Sequence, residues 1–450
     1  MPVPVRRIGS ALLLAAFIGS TVTPVAVLAE TPGASPVPAA PLGALPLGDA
    51  ITFHGRGYGH GVGLSQYGAR GRALEGADAA TILAHYYQGA TLTTIDPATR
   101  IRVLVQSKWL AAAERPLVVY GRAGTWSIDG ITGELPADSR LRLYPPVAAA
   151  PGLVVAPGTP WRLLIEAADG AILLDGPAPA DFTIRGMTPD ARLQLWSKPT
   201  KYDRYRGTLR VIVHSVSRVS VVNDVGLEEY LAGVVPVEMP ATWPAAALQA
   251  QAVAARSYAA RRLRPGVSYF DVPDDASSQL YRGVLAEKAT TTAAIAATTS
   301  SVLTSGSTII NALFHSTGGG ATESNENVYT SATGKRIARP VSYLRGALDR
   351  RPDGTPYDSS APYASWTTRS YTRAQLSAWF AADPRTNVGE LLALDLANRG
   401  VSGRLVSVTL IGTAGSRTVS GEVFRAVFNA RRPPSDPSLK STLVDLAPIP

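Results

Sequence analysis

The chain has 450 residues, is 46% hydrophobic and carries a formal charge of +9 at pH 7, its cations being mostly arginine. That length bounds it to two or three domains, or to one domain with large insertions. It has no cysteine, which excludes Cys-ligated zinc, iron–sulfur clusters, a thiol nucleophile and a disulfide framework.

The first 29 residues read as an export signal: Arg6 and Arg7 form a basic start, residues 8–18 an apolar stretch, and Val27, Leu28 and Ala29 offer a cleavage site. The apolar stretch is too short for an ordinary membrane span, and no later segment is long and apolar enough to be one. The mature chain is therefore expected outside the cytoplasmic membrane, secreted or in the cell wall, with the signal either cleaved or kept as an anchor. A basic exported protein suits polyanionic surroundings. The scattered arginines, with short runs only at Arg261-Arg262 and Arg431-Arg432, argue against a nucleic-acid partner.

Residues 30–48 are rich in Pro and Ala and read as a linker. Residues 49–95 open on a Gly-rich loop and continue into a helical run at 77–87. Residues 96–222 are strand-like, for example at 101–105, 140–144, 162–166 and 209–213, with Asp129-Gly130 and Asp169-Gly170 as turn signals. From 223 to 430 helices return. One is capped at Thr242 or Trp243, has Pro244 in its first turn and runs through Ala-rich sequence to Leu263. A second spans 287–299, and strands are expected at 309–315, 405–412 and 418–424. The Pro-rich tail 431–450 reads as loosely packed. The pattern as a whole predicts an α+β fold: a mixed helical and β catalytic domain with a mostly β insert or subdomain.

The stretch from Glu229 to Pro240 sets one carboxylate, Glu238, between Val237 and Met239 with Pro236 and Pro240 outside them. Such surroundings raise a carboxyl pKa by desolvation, as an acid catalyst at neutral pH requires. The competing reading is a surface carboxylate or one at a helix N-terminus, favoured by the helix dipole. Arg256 follows on the long helix, suited either to a substrate carboxylate or acetamido oxygen or to an internal salt bridge. His315 and Ser316 precede a glycine run that lets backbone approach a ligand closely. A Ser-His nucleophilic pair is disfavoured there, because adjacent strand residues point to opposite faces. The loop from Gly55 to Gly63 lacks the Gly-Lys-Ser/Thr ending of a phosphate-binding loop. His54 and His60 have no nearby carboxylate to complete a metal set, and no metal or cofactor is expected. His60 and Gln66 are placed in or beside the same cleft, while Tyr86 and Tyr87 are equally suited to core and to a sugar platform.

Four blocks together resemble the SpoIID/LytB family. They are Glu229-Tyr230-Leu231-Ala232-Gly233-Val234-Val235-Pro236-Val237-Glu238-Met239-Pro240 with Ala250-Gln251-Ala252-Val253-Ala254-Ala255-Arg256-Ser257-Tyr258; Gln279-Leu280-Tyr281-Arg282-Gly283; Phe314-His315-Ser316-Thr317-Gly318-Gly319-Gly320 with Thr322-Glu323; and the Gly-His-Gly block from Gly55 to Ala69, ending in His85-Tyr86-Tyr87. The Gly-His-Gly block usually closes the family domain and here comes first, a permuted order. Some relatives hold zinc through cysteines before the Gln-x-Tyr block. Here Phe270-Asp271-Val272-Pro273-Asp274-Asp275-Ala276-Ser277-Ser278 stands in that place, without a thiolate. The resemblance implies an exported peptidoglycan lytic transglycosylase acting on glycan strands. Glu238 would be its acid and base, with Arg256, Gln279, Tyr281, His315, Ser316, His60 and Gln66 as substrate contacts. The alternative it implies is a non-enzymatic enhancer of a cell-wall amidase.

Overall fold

A computed structural model describes residues 43–147, 155 and 158–449. The signal, the linker up to residue 42 and the last residue of the tail lie outside the described residues. The fold mixes helices and sheets, and no helix among the described residues is long and apolar enough to cross a membrane.

The strand-like region forms two six-stranded sheets. In the order of hydrogen-bonded neighbours across the sheet, one runs Ile172–Pro177, Arg162–Glu166, Arg140–Tyr144, Leu117–Arg122, Arg192–Gln194, Arg204–Tyr205. The other runs Val272–Pro273, Arg100–Leu110, Arg218–Gly226, Thr208–Val213, Asp181–Gly186, Trp126–Ile128. Alternation drives this in the central strands: Leu117, Val119, Leu141 and Leu143 are fully buried, with half-buried neighbours between them. The Asp169-Gly170 turn joins two antiparallel strands as expected, with Gly170 at φ +91°.

This core does not stop at the sheets. Ile101, Val211 and Val221 pack in the same apolar cluster as Tyr230, Leu231, Val235, Ala252, Ala255 and Ala259. The helix Ala245–Ala260 is the pillar that links the layers. One side faces the sheets, while Ala250, Val253 and Ala254 pack against the helices Gln66–Leu74 and Ala79–Tyr86 of the Gly-His-Gly block. Its alanines let neighbours approach closely on every side, and propensity favours them there. Pro244 occupies the cap position rather than the first turn.

Several expectations shift. The helix expected at 77–87 is Ala79–Tyr86, capped by Asp78, and a second helix, Gln66–Leu74, was not anticipated. Its two glycines mask the helical signal, and the Ser65 side chain starts it by accepting from the Gly68 N–H at 3.2 Å. The strand expected at 418–424 ends at Ser420. Residues Gly421–Arg431 are a helix, capped by Ser420 through the Val423 N–H. Ala44–Pro46, read as linker, pairs with Leu391–Asp395. The tail is not loose: Leu439, Leu443 and Val444 are buried, and Val444–Asp445 pairs with His54–Gly55. Apolar residues spaced between its prolines were enough to anchor it.

Candidate active site

A cavity of about 530 Å³ opens where the four sequence blocks meet. The Gly-His-Gly block contributes Tyr58, His60 and Gln66, the long helix and the turn before it contribute Tyr258 and Glu238, and the glycine-run block contributes Phe314, His315 and Ser316. The loop Ala276–Leu280 and Tyr329 complete it.

Main-chain pairing brings the distant blocks together. Leu64–Ser65 runs parallel to Phe314–His315, and Tyr58 and Thr317 exchange backbone hydrogen bonds at 2.9 and 3.0 Å. The Ser65 hydroxyl also accepts from the Gly318 N–H at 3.1 Å. Gly61 turns the chain at φ +83°, and a Cβ there would run into the Arg404 guanidinium. The block can therefore pass this close to the buried arginine only with glycine at that position.

Glu238 is the last residue of a short helix, Val235–Glu238, seven residues before the long helix begins at Ala245. It is thus not the dipole-stabilised N-terminal carboxylate that the sequence also allowed. Among the described residues it is the only carboxylate lining the cavity. Burial pushes its pKa up, opposed in part by the Leu280 N–H, which donates to Oε1 at 3.1 Å, and by the Arg282 charge. Burial winning over one hydrogen bond and a nearby cation is the balance an acid needs.

The Leu280 amide is positioned by its neighbours. Alternate residues point the other way: Gln279 Oε1 accepts from Tyr230 Oη at 3.1 Å, and Tyr281 Oη donates to Asn223 Oδ1 at 2.9 Å. Both side chains are buried, so Gln279 and Tyr281 are internal props rather than cavity contacts. Gly233 is required under them, since a Cβ there would lie 2.6 Å from Tyr281 Cε2.

Arg256 is also not brought to the cavity. Its guanidinium is fully buried, paired bidentately with Glu228 at 2.8 and 2.7 Å and donating to the Ser301 carbonyl at 3.0 Å. Of the two readings the sequence left open, the internal salt bridge holds. Tyr86 and Tyr87 are likewise core, donating to Asp349 at 2.6 Å and to the Leu313 carbonyl at 2.7 Å.

His60, Gln66, His315 and Ser316 do line the cavity. The rings of His60 and His315 lie 5.4 Å apart. Burial, reinforced by Arg404, lowers the His60 pKa from its usual 6.5 to about 4; burial first, then His60 and Arg404, hold His315 well below its usual value. Both rings are therefore neutral at pH 7. The Val62 N–H donates to His60 Nδ1 at 3.0 Å, so that nitrogen is the unprotonated one. His315 Nδ1 lies 3.2 Å from the Val62 carbonyl and must carry the proton, which leaves Nε2 a bare acceptor with no partner among the described residues.

Tyr58, Tyr258, Ser277, Ser278, Leu280 and Tyr329 were not singled out from sequence. Tyr58, Tyr258 and Leu280 sit inside the four sequence blocks, so the available signal was their adjacency to Gly59, to Arg256-Ser257 and to Gln279 and Tyr281. Tyr258 is held under the Arg262 guanidinium, 3.2 Å from its ring.

The segment that carries Glu238, Leu280 and the long helix is also where comparison with known proteins places the chain. Residues 215–305 match the family described as Stage II sporulation protein, SpoIID. The chain is 33% identical over 144 residues to an uncharacterised protein of Brachyspira hyodysenteriae, covering 32% of this chain and 37% of that one. It is 29% identical over 184 residues to the amidase enhancer of Bacillus subtilis, covering 40% and 24%. Over 49 residues it is 51% identical to the stage II sporulation protein D of Bacillus subtilis, covering 11% and 14%. The matched stretches thus span well under half of these relatives. The Gly-His-Gly and glycine-run blocks lie outside the family match, and the structure folds both onto it. The chain carries a SpoIID domain and is a distant homologue of the amidase enhancer and of stage II sporulation protein D.

Proposed function

We propose that this protein is an exported lytic transglycosylase that cleaves the MurNAc–GlcNAc bond of peptidoglycan glycan strands. The observation that supports it is a single carboxylate, raised in pKa by burial, in a cavity lined by no second carboxylate among the described residues. A glycosidase that uses external water normally needs two carboxyl groups. Intramolecular attack needs one, because the nucleophile is already part of the substrate.

In this reading Glu238 gives its proton to the glycosidic oxygen as the C1–O4 bond breaks. The 6-hydroxyl of the same MurNAc attacks C1, forming a C1–O6 bond. Its proton goes to the Glu238 carboxylate, which restores the acid. No water is consumed, and the products are a 1,6-anhydro-MurNAc end and a free GlcNAc 4-hydroxyl. The Leu280 N–H steadies the carboxylate while it is ionised. The neutral His315 ring, through Nε2, with Gln66 and Ser316 supplies hydrogen bonds to sugar hydroxyls and acetamido groups without competing for the proton, while His60 shapes the wall with its ring nitrogens held by the Val62 and Phe314 backbone.

A second reading rests on the likeness to the amidase enhancer: a wall-bound, non-enzymatic stimulator of a separate amidase. Incubating the mature protein with intact and peptide-stripped peptidoglycan, with Glu238→Gln in parallel, separates the two. Fragments one water lighter than hydrolytic ones, released by the wild type and not by the variant, support the lytic reading. Folded protein that releases nothing, yet stimulates an amidase with either side chain at 238, supports the enhancer.

A further inference from the structure

We propose that the cavity continues onto the β-sheet region as a second glycan-binding groove, built to hold the carboxylate-bearing sugars of the same strand beyond the scissile bond; the choice of ligand rests on the glycan reading above. The groove, about 420 Å³, is lined by Trp196, Lys198, Lys201, Arg204 and Leu285 among others. One chain segment joins it to the cavity. Ala276 and Leu280 line the cavity, Leu285 lines the groove, and Asp274 is ion-paired to Lys198 on the groove wall. Between them stands Arg282, whose charge is felt by both Glu238 and Lys198.

The chemistry of the groove is that of an anionic sugar site. Trp196 is 58% exposed, an unusual placement for the largest apolar side chain, and is held edge-on by Tyr120 with ring centroids 5.9 Å apart. An exposed, fixed indole offers an apolar face to a pyranose ring. Lys201 and Arg204 are exposed and form no ion pair among the described residues. Tyr202 lies between Lys201 and Arg282, 5.2 and 5.7 Å from its ring centre. Lys198 is committed to Asp274, and Asp203, the one acidic lining residue, is turned to Gln194 at 2.8 Å. Free cations beside a flat aromatic match a polymer with a carboxylate on every second sugar; a peptide-free glycan strand carries its lactyl carboxylates in that way.

The test measures binding in the Glu238→Gln background, so that turnover plays no part. Probes are purified long peptide-free glycan strands, the short disaccharide product, neutral chitin oligosaccharides and a wall teichoic acid. Trp196→Ala is expected to weaken long-strand binding about tenfold, a usual cost for truncating a central aromatic anchor. It should weaken chitin oligosaccharides similarly and leave the disaccharide unchanged. Lys201→Glu should weaken long strands and spare chitin. Unchanged long-strand affinity in both variants, or a loss confined to teichoic acid, overturns the groove whether or not the protein is a transglycosylase. Groove-dependent strand binding by a protein that releases no fragments sinks the catalytic reading and leaves the groove standing. Both side chains are exposed, so a matching unfolding curve confirms that the variants are folded.

Discussion

Two glutamates ten positions apart in the same segment have opposite surroundings. Glu228 meets a fully buried arginine through two charge-assisted hydrogen bonds. Glu238 meets one backbone N–H and an open cavity, and burial raises its pKa. The first is an internal clamp between the start of the helix Leu227–Ala232, the long helix and the strand at Ser301. The second is a carboxylate with no ion pair among the described residues, and in the proposed reading it is the acid. The contrast is one of surroundings: a bidentate cation stabilises the charge on Glu228, whereas burial disfavours the charge on Glu238.

The sharpest break of this comparison is Glu238→Gln, which should cost about two to four orders of magnitude in strand cleavage, the usual share of a positioned general acid. Fragment release measured by mass spectrometry checks it, and full activity in the variant would move the acid elsewhere. Next comes the clamp: Arg256→Ala leaves Glu228 without its cation and should cost about 3–5 kcal/mol of stability, typical for breaking a buried pair from one side. A denaturant titration reads this, and a stable but inactive Arg256→Ala would instead return the arginine to the site. A smaller effect is expected from Tyr281→Phe, which strips Asn223 Oδ1 of its donor inside the core and should cost about 1–3 kcal/mol. Cleavage per folded molecule should survive, whereas a KM rise without loss of stability would mark Tyr281 as a substrate contact after all.

The smallest effect is in the pH dependence of stability. The raised pKa of Glu238 means that the folded protein binds its proton more tightly than the unfolded chain. That contribution is complete at low pH and is lost as pH rises through the folded pKa. Glu238→Gln removes the loss. The variant should be at least as stable as the wild type at neutral pH, with the difference vanishing below the ordinary carboxylate range. His60 works in the other direction. Its pKa is lowered to about 4, so its contribution is present above the usual 6.5 and falls away as pH drops toward 4. Unfolding midpoints across that range, with His60→Gln as the control, would show the slope or its absence.

The blocks that surround the cavity were legible in the sequence because each is local. The apolar setting of Glu238, the glycine runs and the Ala-rich helix are properties of consecutive residues. The alternating strands from 96 to 222 were legible for the same reason, since burial of one face writes a period of two into the chain. The helix Gly421–Arg431 was misread because β-branched and aromatic residues near its start mimic a strand. The Ser420 cap and the apolar contacts of Phe424, Val427 and Phe428 outweigh that preference.

What the sequence alone determined is which residue types were available: one carboxylate in an apolar turn, an arginine on the following helix, a Gln-x-Tyr pair and two histidines beside glycines. Which of these face the cavity was decided by tertiary structure. Arg256 could meet either a substrate or Glu228, and only packing of the long helix against the strand at Ser301 closed the choice. Gln279 and Tyr281 look inward and Leu280 presents its amide to Glu238, because alternate residues of that segment face opposite ways. The parallel pairing of Leu64–Ser65 with Phe314–His315, and the meeting of Lys198 with Asp274, join residues far apart along the chain. A linear pattern holds no record of such long-range contacts, because they are fixed by burial of the shared core and not by neighbours in sequence.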